Sequence, residues 1–176
     1  MSIALPVFTL TRVERILAPN DIVVSKTDTK GIITYANKVF LDIAGYTEKE
    51  TLGRPHNIVR HPEMPRAVFK LLWDTIGNGQ EIFAYVVNRA KNGDHYWVFA
   101  HVTPTFDRNG TITSYHSSRR APRREAIGTV QSVYKELLEE EAKHGNHKSA
   151  AAAGFELLNR KFVGTGSTYE DFVFSI

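Results

Sequence analysis

Apolar residues recur along the chain in two different periods. Short β-type runs at Ile22-Val23-Val24 and Ile32-Ile33-Thr34-Tyr35 flank a turn from Asp28 to Gly31, which predicts a hairpin of two short strands. From Val39 the spacing changes. Val39, Phe40, Ile43 and Ala44 recur as on a helix, with Asn37 as its N-cap and Gly45 as its stop. Thr47-Glu48-Lys49-Glu50 has the form of a capping box, and Gly53 and Pro55 break the turn that follows. Val68, Phe69, Leu72, Trp73 and Ile76 stripe a longer helix that starts between Pro62 and Pro65 and is closed by Gly77 and Gly79.

Residues 81–90 and 95–106 are β-rich and flank Lys91-Asn92-Gly93-Asp94, and Asn-Gly in that setting is a strong hairpin signal. A turn over Asp107 to Gly110 leads into a fifth strand, Thr111 to Ser118. Strands in blocks with helices between them predict an α+β fold: five antiparallel strands with short helices on one face. The expected boundaries are an N-terminal cap over 1–20, a main domain over 21–120 and a helical extension with a tail over 121–176. Within the cap, Thr11 to Leu17 is expected to form a short helix. In the extension, Ile127, Val130, Val133, Tyr134, Leu137 and Leu138 form a helical stripe, followed by a second helix from Ser149 to Phe162. That stripe either packs back on the sheet or faces a second copy or partner. A flexible link from Gly164 to Ser167 precedes an apolar tail, Tyr169 to Ile176.

Composition narrows the function classes. The 176 residues carry 42% hydrophobic and 23% charged residues, ordinary for one globular domain with extensions. Cysteine is absent, which excludes disulfides, thiolate metal sites, cysteine nucleophiles and any cysteinyl–cofactor adduct. The net charge of +3 is too small to imply nucleic acid, and the Arg119, Arg120, Arg123 and Arg124 cluster reads as a solvated linker. No apolar run approaches the ~18 residues of a membrane span, and the apolar Ile3 to Phe8 lacks the features of a signal peptide. A cytoplasmic setting is the expectation.

A two-residue turn at Asn92-Gly93 would pair Asn88 with Trp97 and Val86 with Phe99, putting Asn88, Trp97 and Phe99 on one face. If that face is inner, Asn88 is an amide in an apolar stripe, and an unpartnered buried amide costs ~1–3 kcal/mol. It needs a group that both donates and accepts, such as a flavin pyrimidine edge, a backbone loop or water. The segment from Pro55 to Pro65 is stiffened by proline and rich in charge. Arg60, His56 and His61 there could hold an anionic or aromatic ligand, or Arg60 could pair with Glu63. No nucleophile elbow, dinucleotide fingerprint or phosphate loop occurs, and no metal-ligand spacing stands out.

Residues about 20–120 resemble a PAS domain, specifically the sensor domain of bacterial aerotaxis receptors. Four segments carry the resemblance: Ile33-Thr34-Tyr35-Ala36-Asn37; Gly45-Tyr46-Thr47; Pro55 through Pro65; and Asn88-Arg89 with Lys91-Asn92-Gly93-Asp94-His95-Tyr96-Trp97-Val98. The resemblance implies a PAS fold around non-covalent FAD. Arg60, His61 and Glu63 would bind the cofactor, with Glu63 replacing the family's usual aspartate. Asn37 and Asn88 would be polar pocket contacts, and Trp73, Trp97 and Phe99 apolar ones. Ile82 stands where the family often has a flavin-packing tryptophan, a role Phe83, Tyr85 or Trp73 would take over.

The implied function is a redox, oxygen or energy sensor without turnover. It resembles the stand-alone form that docks on a membrane-bound chemoreceptor-type partner, with a homodimer forming through the cap or the C-terminal helix. The competing readings are a haem-binding gas sensor, with His61, His95 or His101 as axial ligand, and a cofactor-free interaction module.

Overall fold

The computed structural model describes residues 9–163 and 166–176, so Ile3 to Phe8 and part of the expected link, Gly164 and Thr165, lie outside the described residues. Five antiparallel strands, β1 (Val23–Asp28), β2 (Ile33–Ala36), β3 (Ile82–Arg89), β4 (His95–Phe106) and β5 (Ile112–Arg120), form one sheet. Their order is β2-β1-β5-β4-β3. Between β2 and β3 lie α1 (Lys38–Ala44), α2 (Glu48–Thr51), a 3-10 turn (His56–Val59) and α3 (Arg66–Gly77). The fold is α+β, as the succession of periods requires.

Local chemistry sets the helix ends. The Asn37 side-chain oxygen accepts from the Phe40 N–H at 3.0 Å, and Gly45 closes α1 in the left-handed region at φ 71°. Thr47 and Glu50 cap each other's backbone reciprocally. Helix α3 starts after Pro65 with no cap of its own.

The β3–β4 hairpin differs by one residue from the two-residue turn expected at Asn92-Gly93. The Ala90 N–H donates to the Asp94 carbonyl at 2.7 Å and the Gly93 N–H to the Ala90 carbonyl at 3.0 Å, so the loop is Lys91-Asn92-Gly93. Gly93, at φ 96°, is the left-handed residue of a three-residue loop. Asn88 therefore opposes Tyr96, and Val87 opposes Trp97. A one-residue slip moves every β4 side chain to the other face. Asn88 shares the helix-covered inner face with Val86, Tyr96, Val98, Ala100 and Val102, whereas Trp97, Phe99 and His101 lie on the outer face.

The helix expected over Thr11 to Leu17 is also corrected. This stretch is not helical and lies beside the hairpin: the His95 N–H donates to the Val13 carbonyl at 2.9 Å and the Arg15 N–H to the His95 carbonyl at 2.8 Å. The Asp94 carboxylate accepts from Thr11 Oγ1 at 2.6 Å and from Arg15 Nε at 2.9 Å. A single helical turn has a costly nucleus, and these partners supply more bonds than that turn would.

Helix α4 (Arg124–Glu141) settles the alternatives for the C-terminal stripe: Ile127, Val130, Tyr134 and Leu137 are buried within the core. Tyr134 stacks near Trp97 on the outer face, with centroids 6.2 Å apart, and its hydroxyl donates to the Tyr85 carbonyl at 2.5 Å. Helix α6 (Tyr169–Ser175) adds Phe174, 4.8 Å from Phe83 and 6.2 Å from Phe99. Helix α5 (His147–Val163) lies along α3 on the helical side.

The far end of α4 supplies what α3 lacks. The buried Glu141 carboxylate accepts from the Arg66 N–H at 3.0 Å and the Ala67 N–H at 2.8 Å, satisfying orphan donors of the first turn of α3. Gly154 of α5 passes so close that a Cβ there would lie 2.9 Å from Glu141 Cγ and 3.1 Å from Ala67 Cβ. Among the described residues no helix is long and apolar enough to cross a membrane. Replacing Glu141 with Ala is expected to cost about 0.5–2 kcal/mol, the range for loss of a helix cap. Urea denaturation checks this, and unchanged stability would show that the cap carries no load.

Candidate functional site

A cavity of about 430 Å³ lies between α3 and the inner face of the sheet, within the size range of small-molecule sites. Phe69, Leu72, Trp73 and Ile76 of α3 form one wall. Val86 and Asn88 of β3, Ala100 and Val102 of β4, and Tyr115, Ser117 and Arg119 of β5 form the other. Ser25 and Thr27 of β1 and the Pro55–Arg60 segment complete it, and Ala151 of α5 also lines it. Lys30, Arg60, Arg66 and Lys70 also line this space.

Three polar features stand out against the apolar walls. The first is Asn88, which is 4% exposed. Its backbone bridges to Arg60 of the proline-bounded segment, while its carboxamide makes no hydrogen bond among the described residues. The second is Arg119, which is 2% exposed. Its Nη2 donates to Ser25 Oγ and its guanidinium lies 5.3 Å from the Phe40 ring centroid, but Nε and Nη1 have no hydrogen-bond partner among the described residues. Burial without a carboxylate brings its pKa down to about 10.

The third is His56, whose Nε2 lies 3.0 Å from Ser25 Oγ. Loss of bulk water around the ring, reinforced by the Arg119 charge, pulls its pKa down to about 3. Ser25 Oγ accepts from Arg119 and also lies within hydrogen-bond distance of His56 Nε2, so one hydroxyl joins the guanidinium to the neutral imidazole.

The structure brings together only part of the residue set drawn from the sequence. Asn88, Arg60 and Trp73 line the cavity. Arg60 donates to the Met64 carbonyl at 3.3 Å and lies 4.7 Å from the Phe69 ring centroid. Trp73 packs edge-on to Tyr115 at 5.6 Å. Asn37 does not face the cavity. Its amide is consumed by Phe40, by the Val24 N–H at 3.0 Å and by the Ile22 carbonyl at 2.7 Å. His61 is buried, its Nδ1 accepting from the Glu63 N–H at 3.2 Å, and its ring lies 5.8 Å from that of His95.

Glu63 is exposed, and no Arg60–Glu63 ion pair forms among the described residues. Trp97 and Phe99 are on the outer face for the register reason given above. Of the residues considered as substitutes at Ile82, Phe83 and Tyr85 also point outward, and Trp73 is the one of the three that lines the cavity. None of His61, His95 and His101 lines it. His101 instead holds Glu81 at 2.6 Å and stacks on Phe83 at 4.2 Å.

Arg119, which the sequence pattern places in a solvated arginine cluster, is instead a buried residue of the cavity. The signal was present in β5, where Tyr115, Ser117 and Arg119 alternate onto one face.

Residues 33–119 match the family described as PAS fold. These residues form a PAS domain. The chain is 45% identical over 121 residues to an aerotaxis receptor of Escherichia coli strain K12, covering 69% of this chain and 24% of the receptor. It is 27% identical to a nitrogen fixation regulatory protein of Klebsiella pneumoniae, over 56% of this chain and 20% of that protein. The chain thus spans a quarter or less of the length of these relatives. Among solved structures, the LOV domain of the blue-light photoreceptor Aureochrome1 superposes with TM-score 0.56 at 26% identity, covering 66% of this chain and 86% of that one. A light-oxygen-voltage domain described with a flavin analogue superposes with TM-score 0.56 at 20% identity, covering 65% and 86%. The PAS domain is thus LOV-like in fold and related in sequence to part of an aerotaxis receptor.

The depressed His56 pKa has a signed consequence. The unfolded chain binds a proton on this histidine below about pH 6.5, whereas the folded one does not until about pH 3. Folding stability is therefore expected to fall as pH drops from 6.5, by up to about 3 kcal/mol near pH 4 from this one group. Urea titrations at pH 7 and pH 4.5 check it. His56→Gln should show a flatter pH dependence than the wild type, and an identical dependence would contradict the assignment.

Proposed function

We propose that the PAS domain holds FAD non-covalently in the cavity between α3 and the sheet. In this reading it acts, without turnover, as a cytoplasmic sensor of redox state or oxygen. The observation that carries this reading is the pairing of apolar walls with two polar groups that line them, the Asn88 carboxamide and the Arg119 guanidinium, whose Nε and Nη1 are buried without a partner among the described residues. A fused aromatic ring with carbonyl acceptors and an N–H donor on one edge meets both demands, since an amide can donate and accept while a guanidinium only donates. The cationic groups at Lys30, Arg60, Arg66 and Lys70 suit a diphosphate, which favours the dinucleotide FAD over shorter flavins. The 45% identity to an aerotaxis receptor and the LOV-like fold support a flavin and a signalling role.

The cofactor would supply reversible electron uptake, and the chain's residues would bind it and report it. Trp73 and Phe69 offer flat apolar contact. Asn88 orients the ring edge. The absence of cysteine means that no covalent adduct through a thiol can form. Signal leaves by α3, because this helix both walls the cavity and seats Glu141 and α5. The partner in this reading is a membrane-bound chemoreceptor-type protein. A second copy would dock through the N-terminal segment or the C-terminal helices, since the α4 stripe itself is buried in the core.

Purified protein supplied with FAD should show the twin visible bands of bound flavin. Asn88→Ala should bind at least tenfold more weakly, equivalent to about 1.4 kcal/mol. A colourless protein that takes up no added FAD would refute the flavin reading, and a Soret band would redirect it to haem.

A further inference from the structure

A guanidinium buried without a counter-ion is costly, and native proteins leave few buried donors unmet. Arg119 has one donor contact, to Ser25, and one face on Phe40. No ion pair to it is found among the described residues, and two of its nitrogens are buried without an acceptor beside the cavity that it lines. Its neighbours do not compensate its charge. Ser25 is neutral, and His56 stays neutral. The Tyr96 hydroxyl is buried without a partner among the described residues, and burial holds it protonated. The inner face therefore keeps one permanent positive charge in a site of low polarity, where its field is strong.

We propose that Arg119 donates to the carbonyl-bearing edge of the bound flavin and, as the buried cation of the cavity, biases the cofactor towards its reduced form. This rests on the flavin reading above and adds a residue that sets the potential. Two-electron reduction by dithionite, which leaves as bisulfite, brings one proton to the ring and leaves one net negative charge on it. A fixed cation beside that edge stabilises the more negative form more than the oxidised one. The Asn88 amide, being neutral, orients the ring without this bias.

The test uses the full chain loaded with FAD. Arg119→Gln keeps hydrogen-bond donors and removes the charge; Arg119→Lys keeps the charge. At fixed ambient potential, set with dithionite and a reference dye, the ratio of reduced to oxidised bound flavin is expected to drop at least tenfold in Arg119→Gln. For a two-electron couple that is about 30 mV. Arg119→Lys should remain closer to the wild type. If Arg119→Gln does not fold, the wild type still decides the ring contact: the Arg119 Nε–H signal in a nitrogen-15 spectrum should shift when FAD is added. A flavin-loaded Arg119→Gln protein with the wild-type ratio, or an Nε–H signal unmoved by bound FAD, overturns the inference while leaving the flavin reading intact. A wild type that binds no flavin overturns both.

Discussion

The site depends on the register of one hairpin. Gly93 takes a positive φ of 96° in the loop between β3 and β4, and a Cβ at this position would lie 2.0 Å from the Thr9 carbonyl oxygen. The glycine thus serves the turn and the N-terminal segment lying against it. Because the loop has three residues, Asn88 opposes Tyr96 and faces the cavity together with Ala100 and Val102. With a two-residue loop, Trp97 and Phe99 would take those inner positions and fill the space between sheet and α3. The cavity exists because those two large rings are turned to the outer face, where α4 and α6 cover them.

Within that geometry, two asparagines divide structural from ligand-directed chemistry. Asn37 spends its amide on Phe40, Val24 and Ile22, tying α1 to β1. Asn88 spends its backbone on Arg60 and keeps its amide for the cavity. Arg119 is the charged counterpart. A residue type shared by two positions says little about role, whereas the hydrogen bonds already made at each say a great deal.

This explains what was legible in the sequence. The strands and helices followed from period and punctuation, because capping by Asn37, Thr47 and Gly45 acts within a few residues. The α+β arrangement followed from their order. The side-chain facing did not, since the Asn-Gly pair marks a hairpin but leaves its loop length open, and one residue inverts a strand. Arg119 was hidden for a related reason: its burial depends on β5 lying at the centre of the sheet between β1 and β4, a long-range fact. The non-helical course of Thr11 to Leu17 is not legible locally, because its partners, Gly93 to His95, lie far along the chain.

Helix α3 joins the cavity to the C-terminal extension, since one side meets the ligand space and its first turn is held by Glu141. The central claim is therefore that the polar groups of the inner face, rather than the outer aromatic cluster, receive the cofactor. A crystal structure of the FAD-loaded chain tests it most directly. The account predicts the flavin ring between α3 and the sheet, with its polar edge within hydrogen-bond distance of Asn88 and Arg119. A ring seated elsewhere, or one in the cavity that leaves both side chains unengaged, would contradict it.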